Sequence, residues 1–287
     1  MTGPLEDLIQ LLGLERLEKN LFRGQSRDLG SPRVFGGQVL GQALSAAQQT
    51  VDDRAAHSLH AYFLRAGDVN APIVYDVDRS RDGRSFTSRR VVAIQHGQQI
   101  FHLAASFQRS ETGIDHQDTC PDVPDPDELT DLSEYYRAGK IPDKLSGFVS
   151  QQRPFEFRPV QTPAFLSDEK LPARQQTWFR TIARLPDEIG LHKTLLAYVS
   201  DYGLIGTATM PHGISFLKGN VQLASLDHAM WFHRDGRIDD WLLYDCDSPS
   251  AFGARGLARG AIYSRDGRLI ASTAQEGLIR IRTDKPK

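Results

Sequence analysis

Apolar residues along the chain fall into two kinds of spacing, and the two kinds follow one another in the same order twice. In FGGQVLGQALSAAQQT, Val39, Leu40, Ala43, Leu44 and Ala47 recur at the three- and four-residue intervals that put side chains on one stripe of a helix. Gly37 and Gly41 in that stretch would let another backbone approach closely. In GLHKTLLAYVSDYGLI, Leu191, Leu195, Tyr198 and Tyr202 share a face by the same period. Strand-like runs follow each helix: 73–77, 86–94 and 100–107 in the first half, then 221–232, 241–246, 257–263 and 269–279 in the second. His96-Gly97 and Asp266-Gly267 predict hairpin turns in which the glycine takes positive φ.

The repetition extends to short words. HAYFLR from His60, YDVD from Tyr75 and RRVVAIQHGQQIFHLAASFQ from Arg89 are echoed by HAMWFHR from His228, YDCD from Tyr244 and RGAIYSRDGRLIASTAQEG from Arg259. The offsets are 168 from His60 to His228, 169 from Tyr75 to Tyr244 and 170 from Gly97 to Gly267. Duplication of one unit explains this most simply, and chance likeness between two antiparallel sheets is the alternative. A long helix ahead of several antiparallel strands predicts an α+β unit whose sheet curls around the helix. The expected organisation is an N-terminal unit over 1–110, a linker over 111–150 rich in Pro and Asp with a short helix near 128–139, and a C-terminal unit over 151–287.

Composition narrows the function classes. The 287 residues amount to about two domain equivalents. With 34 Lys and Arg against 36 Asp and Glu the formal charge is -2, which offers no overall attraction for nucleic acid or an anionic membrane. No apolar run is long enough to span a bilayer, so membrane insertion is not expected. The opening MTGPLEDLIQLLGLERLEK is amphipathic and acidic and lacks the marks of a secretion signal, and the closing IRTDKPK is not a peroxisomal address, which together predict a cytoplasmic protein. Cys120 and Cys246 are the only cysteines, so neither a disulfide framework nor an all-cysteine metal site is expected.

The strongest mechanistic motifs do not occur. There is no P-loop, no GxGxxG, no GxSxG elbow and no HExxH, so no cofactor and no metal is expected. What remains is a set of polar residues at otherwise apolar places. Asp201 ends the second helical run about 80° round from Leu191, beside Thr194 and Tyr198. Ser225 shares a strand face with Val221 and Leu223, and Gln275 shares one with Ala271 and Thr273. The three would satisfy one another and a water between them. Taken singly, each has an ordinary reading as a structural or solvated hydrogen-bonding group. So do His60, His228 and His233 as packed histidines, and Arg65, Arg89 and Arg90 as solvated strand charges that a phosphate-rich cofactor would be able to use.

The runs LFRGQSRDLG, RVFGGQVLGQAL, HSLHAYFLRAGD, PIVYDVDRSRDGRSFTSRRV, PHGISFL, LDHAMWFHR and STAQEG resemble those of the acyl-CoA thioesterase II family, over almost the whole chain. The resemblance implies a double hotdog fold, two tandem units that each wrap a curved antiparallel sheet around a central helix. It also implies an acyl-CoA substrate, hydrolysis to fatty acid and CoA, and assembly into a homo-oligomer, a dimer or tetramer. By motif it assigns the family's catalytic Asp to YVSDYG, hence Asp201, the hydroxyl to LASLDH, hence Ser225, and the Gln to STAQEG, hence Gln275. Serine where relatives carry threonine keeps the hydroxyl but loses the methyl that stiffens χ1. In that scheme Asp201 deprotonates a water oriented by Ser225 and Gln275. The helix start at Gly36, Gly37 and Gln38 is a candidate for binding the substrate's developing oxyanion, and Phe63, Trp231 and Phe232 suit an acyl channel. Two rivals remain: a hotdog hydratase or dehydratase, which needs an Asp/His pair that the Gln38 region lacks, and a non-catalytic acyl-CoA-binding protein.

Overall fold

The computed structural model describes residues 3–28, 33–139, 153–166, 169–215, 219 and 221–282. The last part of the expected linker, 140–150, and the end of the chain from 283 lie outside the described residues. In chain order the elements are α1 (Pro4–Leu12), β1 (Glu15–Glu18), β2 (Leu21–Gly24), α2 (Gly36–Gln48), β3 (Ala55–Phe63), β4 (Ile73–Asp82), β5 (Phe86–Gln95), β6 (Gln98–Gln108), α3 (Leu132–Arg137), β7 (Phe155–Pro159), β8 (Arg174–Thr181), α4 (Ile189–Ser200), β9 (Val221–Ser225), β10 (Asp227–Phe232), β11 (Leu242–Phe252), β12 (Arg255–Ser264) and β13 (Leu269–Ile281). A 3-10 helix covers Ile205–His212.

Two compact units form, and each draws on separate stretches of the chain. The first comprises 1–117, 185–202 and 227–237; the second comprises 118–184, 203–226 and 238–287. In the first unit the strand order is β1-β2-β4-β5-β6-β3-β10, antiparallel throughout. Its core lies between the inner face of this sheet and α2, whose residues 37–44, 46 and 47 are all buried. Leu40 and Leu44 are fully enclosed, and burying each stabilises the fold by about 1.5–3 kcal/mol. One glutamine extends the helix's grip beyond apolar packing. Gln42 Nε2 donates to Leu11 O at 2.6 Å and to Gln25 O at 2.9 Å, and Tyr75 Oη donates to Gln42 Oε1 at 2.7 Å. Burial alternates along β5, as a one-sided sheet requires. The β5–β6 turn has positive φ at both His96 and Gly97, the backbone of a type I′ hairpin.

Helix α2 also packs on α4, and the glycines of the sequence pattern mark the approach. A Cβ on Gly37 would stand 2.2 Å from Tyr198 O, and one on Gly41 would stand 3.3 Å from Thr194 O. The helices are antiparallel, since the start of α2 meets the end of α4 while Gln48, at the end of α2, reaches Gly190 near the start of α4.

The second unit's strand order is β13-β12-β11-β8-β7, with β9 on the other edge of β13. The 3-10 helix sits against this sheet, where a Cβ on Gly256 would meet Ala208 and one on Gly277 would meet Ile205. Trp178, Trp241, Leu243 and Tyr263 form a cluster that Cys120, Val123 and Leu129 cover. The stretch read as linker thus contributes packing of its own. Trp178 Nε1 donates to Pro124 O at 3.0 Å, and Arg265 pairs with Asp125 and Asp127. The short helix expected there is α3. The single strand expected over 221–232 divides at Leu226 into β9 and β10, which belong to different units.

Candidate active site

Helix α2 begins without a side-chain cap. Phe35 at the N-cap has no side-chain oxygen to offer, and the first turn carries no acid. The leading N–H groups of a helix lack intrahelical partners, so this start carries partial positive charge. Against it lies Asp201, the residue that closes α4. A Cβ on Gly36 would stand 2.6 Å from Asp201 Oδ2, so any side chain at position 36 would displace the carboxylate. Asp201 is 9% exposed. Its own helix ends on partial negative charge, which opposes a carboxylate, and the start of α2 beside it offsets that.

Aromatic rings border this acid. Phe63 approaches the Gly36 Cβ position to 3.1 Å, Phe35 packs edge-on to Tyr198 and Tyr202, and the two tyrosine hydroxyls are 3.2 Å apart. Gln38 is fully buried and committed to the chain before it: Nε2 donates to Gln25 O at 3.1 Å and Oε1 accepts from Arg27 N at 3.3 Å. Its own N–H donates to Phe35 O at 3.0 Å. The residues Gly36 and Gly37 thus head the helix, with Gln38 anchoring the segment over it.

In the second unit, Gln275 Nε2 donates to Ser225 Oγ at 2.7 Å. The register explains the meeting. Ser225, the last residue of β9, lies opposite Gly277, two residues along β13 from Gln275 and on the same face. Gln275 is fully buried, and Thr273 on its face accepts or donates a 2.8 Å bond with the Tyr244 hydroxyl. The backbone is pinned as well, since Leu226 N donates to Glu276 O at 2.9 Å. The facial assignment of Ser225 and Gln275 from strand parity therefore brings them together, while Asp201 stands with Gly36 and Gly37 in the first unit.

Other polar residues depart from their sequence reading. Arg89 is not a solvated charge. Strand parity turns it inward with Thr87 and Val91, where Nε donates to Thr50 Oγ1 at 2.8 Å and Nη2 to Thr50 O at 3.0 Å and Asp82 Oδ1 at 2.6 Å. Trp231 does not line an interior channel, because β10 alternation sends Met230 and Phe232 inward and leaves Trp231 outside against the edge of His60. One pair went unnoticed in the sequence. The buried His228 Nε2 stands 2.9 Å from the buried Ser200 Oγ, and Ser200 immediately precedes Asp201. Only strand parity, which places His228 with Met230 and Phe232, would have pointed to it. Among the described residues no cluster of His, Cys, Asp and Glu is arranged to hold a metal ion, and no helix is long and apolar enough to cross a membrane.

Comparison with known proteins places this geometry. Residues 146–278 match the acyl-CoA thioesterase family model and residues 25–108 match that of the acyl-CoA thioesterase N-terminal domain. The chain is 47% identical to acyl-CoA thioesterase 2 of Haemophilus influenzae, over 98% of this chain and 99% of that protein. It is 41% identical to acyl-coenzyme A thioesterase 8 of Mus musculus, over 98% and 92% respectively. Among solved structures, the acyl-CoA thioesterase II TesB2 of Mycobacterium marinum aligns with a TM-score of 0.79 at 42% identity, covering 98% of this chain and 100% of that one. A hotdog-fold protein of Alicyclobacillus acidocaldarius aligns with a TM-score of 0.79 at 19% identity over 96% and 99%, a likeness of fold alone. With its double hotdog α+β architecture, the chain belongs to the TesB-like acyl-CoA thioesterase II family.

Proposed function

We propose that this protein hydrolyses acyl-CoA thioesters to fatty acid and CoA, with Asp201 as general base and Ser225 and Gln275 as the groups that orient the attacking water. Asp201 takes one proton from the water as its oxygen adds to the thioester carbonyl. The C–S bond then breaks, the electron pair leaves with sulfur, and the CoA thiolate is protonated in solution. No covalent acyl-enzyme is needed. A thiolate is a better leaving group than an alkoxide, so the demand on a leaving-group acid is small.

The observation that carries the reading is the half-buried 2.7 Å bond from Gln275 Nε2 to Ser225 Oγ. To Ser225, whose hydroxyl oxygen accepts from the amide, we assign the orienting of the water. The setting of Asp201 gives independent support, since an acid only 9% exposed, with Phe63 at the same Gly36 position, is largely shielded from bulk water. Gly36 and Gly37 are the donors we assign to the developing oxyanion, as the first N–H groups of α2; the Gln38 N–H is already spent on Phe35 O. We further expect a homo-oligomer acting in the cytoplasm without a cofactor.

Asp201→Asn tests the assignment. It keeps size and shape but removes the base, and thiol release from a panel of acyl-CoAs followed with a thiol dye should fall by about a hundredfold or more. A retained rate removes Asp201 as base.

A further inference from the structure

The buried His228 and Ser200 have no part in the scheme above, yet they stand next to it. Ser200 Oγ donates its hydrogen to Ala197 O at 2.9 Å, so toward His228 Nε2, also at 2.9 Å, it acts as acceptor. The imidazole proton is therefore on Nε2. His228 Nδ1 agrees, since it is buried with no hydrogen-bond partner among the described residues, a place where a proton would point at nothing. Burial also pushes the pKa of His228 down to about 4, so the ring is neutral at ordinary pH.

We infer that His228 is a positioning residue for the hydrolysis, holding Asp201 in place through the hydroxyl of Ser200. The His228 to Ser200 bond ties the last turn of α4 to β10. Asp201 is the next residue after Ser200, and its carboxylate has to fit where Gly36 leaves space. A last turn free to rotate or unwind would move the carboxylate by the ångström or so that costs about a hundredfold in rate. A purely apolar residue would serve packing better, because enclosing an imidazole with one nitrogen unpaired costs its desolvation.

This inference rests on Asp201 being the base, so the experiment includes Asp201→Asn. His228→Leu removes the donor, and His228→Gln puts an amide N–H near the place of Nε2. Steady-state hydrolysis and thermal midpoints are measured for each. The Leu variant should lose about tenfold or more in kcat with KM changed by less than about twofold, and the Gln variant should recover most of the loss. Wild-type kcat in the Leu variant, or an equal loss in Gln and Leu variants, overturns the inference. Should His228→Leu not fold, Ser200→Ala, which deletes the acceptor together with the bond to Ala197 O, must show the same fall in kcat, and an unchanged kcat in folded Ser200→Ala equally overturns it. Asp201→Asn with a full rate defeats the parent reading, whereas Asp201→Asn inactive beside a fully active His228→Leu defeats the positioning role alone.

Discussion

The antiparallel pair of helices in the first unit meets at two ends built on one plan and furnished differently. Each end sets the start of one helix beside the finish of the other, and each has a glycine at the start. At one end the carboxylate of Asp201, closing α4, lies against Gly36. At the other, Gln48 at the end of α2 lies against Gly190, donating from Nε2 to Gly190 O at 3.3 Å and to Thr194 Oγ1 at 2.9 Å. The amide binds the two helices and has no basicity to offer. The carboxylate only accepts, so it alone suits proton abstraction. The spacing differs too. A Cβ on Gly190 would be 3.5 Å from Gln48 Oε1, an ordinary contact, against 2.6 Å from Asp201 Oδ2 for one on Gly36. The charged end is the tighter, as expected where a side chain has to be held in one orientation.

Alanine scanning of the two glycines would break this comparison most sharply. Gly36→Ala should push the carboxylate aside and lower kcat by about a hundredfold, because a displacement near one ångström costs that much. Gly190→Ala should leave kcat within about twofold, since its methyl finds room. Both are read in the same thiol-release assay. Equal kcat in the two variants would mean that the position of Asp201 is not what the close approach protects.

The next effect concerns acid. The folded-state pKa of His228 is about 4, against about 6.5 for a histidine in an unfolded chain. Below pH 6.5 the unfolded chain takes up a proton that the folded one refuses, so this residue's contribution is harmless above that value and destabilises as pH falls toward 4. Between pH 7 and 5 the loss from this one group is about 2 kcal/mol. His228→Gln should flatten that part of the stability profile, measured by denaturant unfolding at each pH. An identical slope in wild type and variant would show that the ring is not held neutral.

How much of this was legible in the sequence depends on which period carried the information. The helices α2 and α4 were marked by apolar stripes, and Gly37 and Gly41 by their placement within one. The long strands β4, β5, β6, β11, β12 and β13 were legible from apolar runs, but β1, whose residues Glu15–Glu18 are all exposed, has no apolar residue repeating at period two to reveal it. The repeat was legible and its register was not. Pairing sets His60 opposite Ala229 and Ala61 opposite His228. Opposed residues share a face, so the two histidines aligned at offset 168 point to opposite sides of the sheet. An offset of 169, as at Tyr75 and Tyr244, restores the faces; it matches Tyr62 with Trp231 and Phe63 with Phe232, and gives Leu59 as the counterpart of His228. The imidazole thus occupies a place that is plain leucine in the first half. Asp201 came from helical spacing, and Ser225 and Gln275 from strand parity, each joined to family resemblance. Neither gives the bond from Gln275 to Ser225, which depends on the β9–β13 register and is settled only in three dimensions.

The smallest effect tests the neutral end by itself. Gln48→Ala removes donors from Gly190 O and Thr194 Oγ1, and Thr194 is buried. The net worth of such bonds is about 1 kcal/mol, because the unfolded chain satisfies the same groups with water. The thermal midpoint should therefore fall by a few degrees while kcat and KM stay where they are. If instead kcat fell with the midpoint, the two ends of the helix pair would be coupled, and the placement of Asp201 would depend on the whole length of the α2–α4 contact. An unchanged kcat confines the catalytic demand to the last turn of α4 and the first of α2. That is the outcome the geometry favours, because Gly41, midway along, already lets the helices approach so closely that a Cβ there would stand 3.3 Å from Thr194 O, without help from Gln48.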